Sequence, residues 1–586
     1  MEQTVSEILK KLTLPYAATL LFIIAFLVFG NTLFNGLIGD DYGYVFNNLQ
    51  NRTVNFALSF GREGYFNGGG QYHALQSLYF SLLYAVFGAT PFFYRLLQIL
   101  LHIASTILLY VLFRKFLSSG IALFAALVFL VHPLQVESVA YIAQTASPLF
   151  FLLGIIPLLL SMRNALSAKM LVVVFSLLLL SLFEKETGIL FLIMLLVYSF
   201  LFAKQNLIKL AIGSFLTLGV YAFFRIYIGQ VDLSTMPGVP ITGLSLPERL
   251  LNMPLIMLYY FKTFFFPKTL VFGQNWIITS VTVATFYLPL LIDAGFFILL
   301  CLGGYYIFKY HKHNFKPFLF FSMWFLVGLL FHLQIHPLDA TVADRWFYFP
   351  MAGLLGLGGL LYQKLAKKLP AYSALSALLA VLIIFPLAVR TIARNSDWHD
   401  GLTLYGRDIH FDDNFENEER LGAEYGNRGE YAKALSHLQK SVSLHADELN
   451  LRNLGKLYEV MGNIPEARTH YAMALSVKDE KIYVPHKHDI KTYQAYASLL
   501  VFYYDSSSAV PLIQDGLTDY PDLFDLWYLL ALAEYKQRDT QAALAAASKA
   551  YQLDPNEQDT YVYNQIQNNE PLSISFDGKQ FTFNSK

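Results

Sequence analysis

Residues 14–42 read LPYAATLLFIIAFLVFGNTLFNGLIGDDY, and two features of this stretch decide the fold. The apolar run over about 14–37 follows Lys10 and Lys11. It exceeds the core of a signal peptide and no small-residue cleavage site follows it, so it reads as a retained membrane span. At its far end Gly39-Asp40-Asp41-Tyr42 sets two adjacent carboxylates beside the bilayer. Such a pair is costly unless it has a task or a partner. The competing reading is a solvated loop start that merely ends the helix.

The rest of the chain extends this beginning. Its 586 residues are 55% hydrophobic and 14% charged, the profile of a polytopic membrane protein with a soluble part attached. Lys and Arg balance Asp and Glu, which leaves no basic footprint for nucleic acid. The single cysteine, Cys301, excludes an internal disulfide framework and a cysteine metal cluster.

Runs near the 20 residues that a spanning helix needs occur at 14–37, 93–113, 118–133, 146–162, 170–183, 187–203, 207–228, 283–308, 317–335, 346–363 and 371–393. The apolar stretch 249–272, broken by Pro254, Lys262, Pro267 and Lys268, reads as interfacial or re-entrant. With about eleven spans, Lys10/Lys11, Arg114/Lys115, Arg163/Lys169, Lys204/Lys209, Lys309/Lys312/Lys316 and Lys364/Lys367/Lys368 share one side, the cytoplasm. The other face receives Asp40/Asp41, the outer loop 38–92, His132, Glu137, Glu184-Lys185-Glu186 and Asp344-Arg345. Residues 73–88 within that loop have helical spacing and read as a helix lying on the membrane.

Beyond residue 394 charge becomes frequent and helical repeats begin. Gly429, Ala434, Leu438 and Ser441 share one spacing with Gly462, Ala467, Tyr471 and Ala474. It recurs at Asp505, Val510, Gln514 and Leu517, and at Arg538, Ala543, Ala547 and Ala550. The period is close to the tetratricopeptide value of about 34, apart from a ten-residue excess placed at 478–487. The expected fold is all-α: a transmembrane helical bundle over 1–393, a linker over 394–416, an α-solenoid of tetratricopeptide repeats over 417–570, and a short β-hairpin-like tail over 571–586.

Six further pieces accompany the acid pair: Pro91-Phe-Phe-Tyr94 with His102; His132-Pro133 with Glu137; Lys185-Glu186-Thr187-Gly188; Asp344-Arg345 with Tyr348 and Pro350; Arg394-Asn395 with Trp398; and Leu404-Tyr405. In this order they resemble the GT-C glycosyltransferase superfamily, and within it the transmembrane and tetratricopeptide repeat O-mannosyltransferase family and its bacterial relatives. The resemblance implies an integral membrane enzyme with a polyprenyl-phosphate-linked sugar donor. It also implies that the first acid, Asp40, is the base, with Asp41 orienting it, binding the acceptor or holding a metal.

Glycosyl transfer from a lipid phosphate requires a base for the acceptor proton and cations for the leaving phosphate. Arg345 is the candidate phosphate ligand, because guanidinium meets phosphate through two parallel hydrogen bonds. Lys185 is the second cation. His102, His132, Glu137, Glu186, Asp344 and Tyr348 are candidates for substrate binding. A metal site can be drawn from His132, Glu137 and Asp41, but nothing in the sequence fixes its geometry; no cofactor is required, and a divalent metal stays open. No P-loop, dinucleotide fingerprint or nucleophile elbow is present, in keeping with a lipid-linked donor.

Three functions follow: O-glycosylation of exported proteins with a peptide acceptor held by the repeats, glycosylation of a glycolipid or polysaccharide, and a non-enzymatic membrane scaffold. The expected location is a bacterial inner membrane, with the N-terminus cytoplasmic and the repeats periplasmic.

Overall fold

The computed structural model describes residues 13–46, 48–61, 71–163, 165–231, 239–367, 373–477, 488–504, 506–554, 557–568, 574–576 and 581–583. The chain divides into two compact units, Met1–Asp412 and Asp413–Lys586.

The first unit is a bundle of helices. In chain order these are α1 (Leu14–Phe29), α2 (Ala74–Phe87), α3 (Pro91–Phe113), α4 (Ser119–Val131), α5 (Val136–Ala140), α6 (Ala146–Ser161), α7 (Ala168–Glu184) and α8 (Ile189–Phe202). They continue with α9 (Leu207–Phe223), α10 (Leu246–Phe265), α11 (Leu288–Tyr310), α12 (Phe315–Leu330), α13 (Tyr348–Lys367), α14 (Ser373–Asp397) and α15 (Gly401–Asp408). Six of the described helical stretches are long and apolar enough to cross a bilayer, or seven if α4 and the bent segment Pro133–Ala140, which turns by 52°, form one span. That is fewer than the eleven expected. Helices α7, α8 and α12 have only 14 to 17 residues, a length tolerated where neighbours shield their ends. α12 and α13 show how close that shielding is. A Cβ at Gly353 would lie 2.4 Å from the Phe325 nitrogen, and one at Gly356 would lie 2.2 Å from the Phe321 ring. Small residues let the two backbones approach.

Around the candidate site the bundle is tied by polar side chains. The end of α1 and the end of α14 are joined: Asn395 Nδ2 donates to the Val28 carbonyl (2.8 Å) and Asn35 Nδ2 to the Asn395 carbonyl (3.0 Å). Residues 394–412 lie in this unit, fixed by buried Asp408, which pairs with Arg394 at 2.9 Å and Arg407 at 2.7 Å. α2 turns Gln76, Ser77, Phe80, Ser81 and Leu83 inward. α10, which overlaps the stretch 249–272 expected as interfacial or re-entrant, buries Asn252, Ile256, Tyr260 and Thr263 at helical spacing.

The second unit is built from helix pairs: α16 (Phe415–Asn427) with α17 (Tyr431–Leu444), α18 (Glu448–Val460) with α19 (Ile464–Ser476), α20 (Ile490–Tyr503) with α21 (Ser506–Asp519), and α22 (Phe524–Lys536) with α23 (Thr540–Leu553). A further helix, α24 (Glu557–Gln567), follows. The repeated small positions are where the helices of a pair touch. Ala434, Ala467, Ala474, Ala543, Ala547 and Ala550 are buried, and a Cβ at Gly455 would stand 2.8 Å from the Tyr471 ring. Gly429 and Gly462 turn the chain between helices with φ +78° each, a conformation glycine adopts without strain. Asp505 and the ten-residue excess lie outside the described residues. Near the C-terminus β1 (Ile574–Phe576) pairs antiparallel with β2 (Phe581–Phe583), Ile574 opposite Phe583.

Candidate active site

The acid pair sits on a tight turn. Gly39 has φ +51°, and a Cβ there would come within 2.9 Å of the Tyr405 hydroxyl, so both conformation and space call for glycine. The next two residues have opposite surroundings. Asp40 is exposed, and its N–H donates to the Tyr141 hydroxyl (3.1 Å). Asp41 is fully buried. One of its oxygens accepts from the Ala143 N–H (2.8 Å), the other from the Ile38 N–H (3.3 Å), and Arg95 stands 3.7 Å away. Burial pushes the Asp41 carboxyl up to about 7, although Arg95 acts in the opposite direction. Arg95 also donates to the carbonyls of Asn35 and Gly36, and Gln76 Nε2 donates to the Ala143 carbonyl at 3.0 Å. The Ala143 peptide is therefore held on both sides.

Arg345 is held on Glu137. This buried carboxylate accepts from the Arg345 backbone N–H (3.0 Å) and from its guanidinium Nη1. Arg345 Nη2 pairs with the more exposed Asp339 at 3.2 Å. Burial opposes the charge of Arg345, but Glu137 and Asp339 more than offset it and hold the guanidinium above its usual value. Lys185 reaches Ser147 Oγ at 3.5 Å. Burial and then repulsion from Arg345 lower its ammonium to about 8. Asp344 accepts from the Tyr259 hydroxyl at 2.6 Å. Burial, with the Glu137 charge, pushes its carboxyl up to about 7. The segment 136–145 links the two groups: Glu137 at one end holds Arg345, while Tyr141 and Ala143 hold the acid pair.

The sign of the Asp344 shift gives a testable consequence. A carboxyl raised from an ordinary 3.8 to about 7 is better protonated in the folded state, so stability falls as pH rises from about 4 to about 7 and is level above that. Asp344→Asn keeps an acceptor for Tyr259 and cannot ionise. Its apparent Tm, relative to the unsubstituted protein, rises from pH 5 to pH 8 in detergent. A constant difference would contradict the shift.

The other candidates are placed as follows. His102 and Tyr348 are buried and bonded to each other (2.8 Å), and the second His102 nitrogen bonds the Leu130 carbonyl at 3.1 Å. His132 donates from Nε2 to the Phe264 carbonyl (2.9 Å) and accepts the Leu134 N–H at Nδ1, so neither ring nitrogen is turned toward Asp41 or Glu137. Among the described residues no three His, Cys, Asp or Glu side chains converge as a metal site. Glu186 fastens the outer loop: it accepts from the Tyr72 N–H (2.8 Å) and pairs with His73 (2.7 Å) and Arg225 (2.9 Å).

Sequence reasoning did not single out Arg95, Arg225, Gln76, Tyr259 or Asp339. Arg95 had a signal, as the one formal charge in the apolar run 93–113, where a lone charge implies a partner. Gln76 had none.

No family model matches the chain. It is 22% identical over 504 residues to Protein O-mannosyl-transferase TMTC3 of Homo sapiens, covering 77% of this chain and 54% of that protein. A protein O-mannosyl-transferase of Caenorhabditis elegans is 24% identical over 353 residues, covering 58% of this chain and 48% of that protein. The chain thus spans about half the length of the curated relatives it matches. Among solved structures, ArnT from Cupriavidus metallidurans in the apo state aligns with 90% of this chain and 79% of its own, at 14% identity and TM-score 0.35. MamA from Desulfovibrio magneticus aligns with 26% of this chain and 93% of its own, at 16% identity and TM-score 0.22. Neither score is high enough to bear on the fold. In sequence, the chain is similar over most of its length to the protein O-mannosyl-transferases, the same group that its ordered motifs resemble.

Proposed function

We propose that the chain is a membrane glycosyltransferase that moves a sugar, with inversion, from a polyprenyl-phosphate carrier to a hydroxyl of an exported protein. The observation that supports it best is the joining of an acid pair to a two-cation cluster through the segment 136–145. Asp40, the exposed acid, takes the proton as the acceptor oxygen attacks the anomeric carbon. The bond from that carbon to the phosphate oxygen breaks, and the phosphate leaves with the electron pair. Arg345 and Lys185 face that developing charge in a partly buried setting, where fixed cations act more strongly than in water. Asp41, bonded through both oxygens, fixes the turn that carries Asp40. The acid pair, the cluster and the repeats lie on the non-cytoplasmic side of a bacterial inner membrane, with the N-terminus inside, and the repeats hold the acceptor polypeptide.

The test is transfer from purified polyprenyl-phosphate mannose and other polyprenyl-phosphate hexoses to serine- and threonine-containing peptides, read by mass spectrometry with and without a chelator. A glycosylated peptide is expected. Turnover of none of these donors would overturn the reading, and loss of turnover with chelator would assign part of the phosphate's neutralisation to a divalent metal.

A further inference from the structure

Just past the end of α12 stands a histidine that the proposed reaction does not use. His332 is buried. Its ring stacks on Trp346, with centroids 5.4 Å and planes 23° apart, and the Arg345 guanidinium lies over the same Trp346 ring at 5.6 Å. The imidazole faces Lys185, Arg345 and Asp339.

The Gly328 carbonyl decides its tautomer. The last four carbonyls of a helix have no partner within it, and Gly328 is in the last turn of α12. His332 Nδ1 lies 2.9 Å from that oxygen. A carbonyl oxygen only accepts, so Nδ1 carries the hydrogen. Burial, joined by repulsion from Lys185 and Arg345, lowers the imidazole to about 3 against the pull of the Gly328 carbonyl and Asp339. The ring is neutral, and Nε2 presents a bare lone pair. No donor among the described residues meets it. A buried acceptor, held in one orientation and left unpaired, calls for a donor from outside the chain.

The chemistry of the proposed substrate narrows that donor. A sugar joined to a polyprenyl chain through a phosphodiester has no O–H on its phosphate and none on its lipid. Only the sugar hydroxyls donate. With the phosphate against Arg345 and Lys185, the ring hydroxyl nearest to it is the one on C2, beside the anomeric carbon. The acceptor hydroxyl gives its proton to Asp40, and an imidazole this weakly basic would not hold that proton.

We infer that His332 Nε2 accepts a hydrogen bond from the C2 hydroxyl of the donor sugar and so selects sugars that carry one. This rests on the reading of Arg345 and Lys185 as the cations that meet the donor phosphate.

The test uses the full chain in detergent and three donors: polyprenyl-phosphate mannose, polyprenyl-phosphate glucose, and the 2-deoxy donor that both become when the C2 hydroxyl is removed. Donor binding by isothermal titration and transfer to a serine-containing peptide are measured separately. The better of the two hydroxyl donors exceeds the 2-deoxy donor in kcat/KM by about 10- to 100-fold, as expected when a buried acceptor loses its one partner. In His332→Phe, which keeps a flat ring against Trp346, that ratio falls to near one. His332→Asn keeps an N–H for the Gly328 carbonyl and offers nothing at the place of Nε2, and it gives the same fall. His332→Gln, whose amide oxygen reaches that place, restores part of the ratio. A histidine that only holds the fold would lower all three donors alike. An unchanged ratio in His332→Asn, or a ratio near one in the unsubstituted protein, would overturn the inference. The two readings fail separately. Should no donor be turned over while binding still distinguishes the C2 hydroxyl and His332→Asn abolishes that distinction, the sugar contact stands and the reaction is lost. Transfer with a ratio that His332→Asn leaves unchanged keeps the reaction and loses the contact. Binding of none of the three donors overturns both.

Discussion

Asp40→Asn lowers the rate of sugar transfer by about 10²- to 10⁴-fold, the range that a positioned general base contributes, and leaves the apparent Tm of the protein where it was. The second half of that expectation comes from the surroundings. Asp40 is exposed, and its contact with Tyr141 is made by the backbone, which the substitution keeps. Asp41→Asn behaves differently. Each Asp41 oxygen accepts one backbone N–H, from Ala143 and from Ile38. A carboxamide accepts on one side only, so one of these N–H groups faces an NH₂. An unsatisfied buried donor costs about 1–3 kcal/mol, and Arg95 loses its counter-charge as well. Asp41→Asn therefore lowers both the Tm and transfer. Measured side by side, kcat and Tm separate the roles: transfer lost at unchanged Tm marks the base, and joint loss marks the acid that holds the turn. Undiminished transfer in Asp40→Asn would remove Asp40 from the chemistry.

How far these pairings can be read in advance depends on what carries them. The first span and the acid pair are local features, legible from one run of residues. The same holds for the repeats: alanines at fixed spacing mark where α17, α19 and α23 bury against their partners. The site is legible as a set of residues but not as a set of contacts. Glu137 and Arg345 stand 208 residues apart, and no periodicity links them. Alone, each reads as an interfacial charge. His132 is the converse case. Its place near Glu137 in the sequence suggests a ligand, yet its two nitrogens are engaged by the backbone of 134 and of α10. The number of long apolar helices falls below the eleven spans expected for a related reason. Helix α12, packed on glycines of α13, does not need the length and apolarity of a helix bathed in lipid.

Arg345→Met is expected to abolish transfer and to destabilise the first unit by about 3–5 kcal/mol, the cost of stripping one partner from a buried ion pair. Glu137 would remain buried, its carboxylate retaining, among the described residues, only the Arg345 backbone N–H. Two effects are mixed in that single variant, and the pair itself separates them. Replacing both members, Arg345→Met with Glu137→Met, leaves no buried charge, so most of the lost stability returns. On the proposed reading of Arg345 as the cation that meets the donor phosphate, transfer does not return. A double variant with full transfer would show that Arg345 only holds the fold. If Arg345 meets the donor phosphate as proposed, its two carboxylate partners differ in how readily they give way. Glu137 is buried and takes both the backbone N–H and Nη1, whereas Asp339 holds Nη2 at 3.2 Å with its side chain 39% exposed. A donor phosphate that displaces Asp339 leaves the Glu137 pair whole, while one that displaces Glu137 strands a buried carboxylate. Asp339→Asn should accordingly lower KM for the polyprenyl-phosphate sugar by several-fold with kcat little changed, because it weakens a competitor for Nη2 and touches nothing that changes in the transition state. A raised KM would assign Asp339 to donor binding instead.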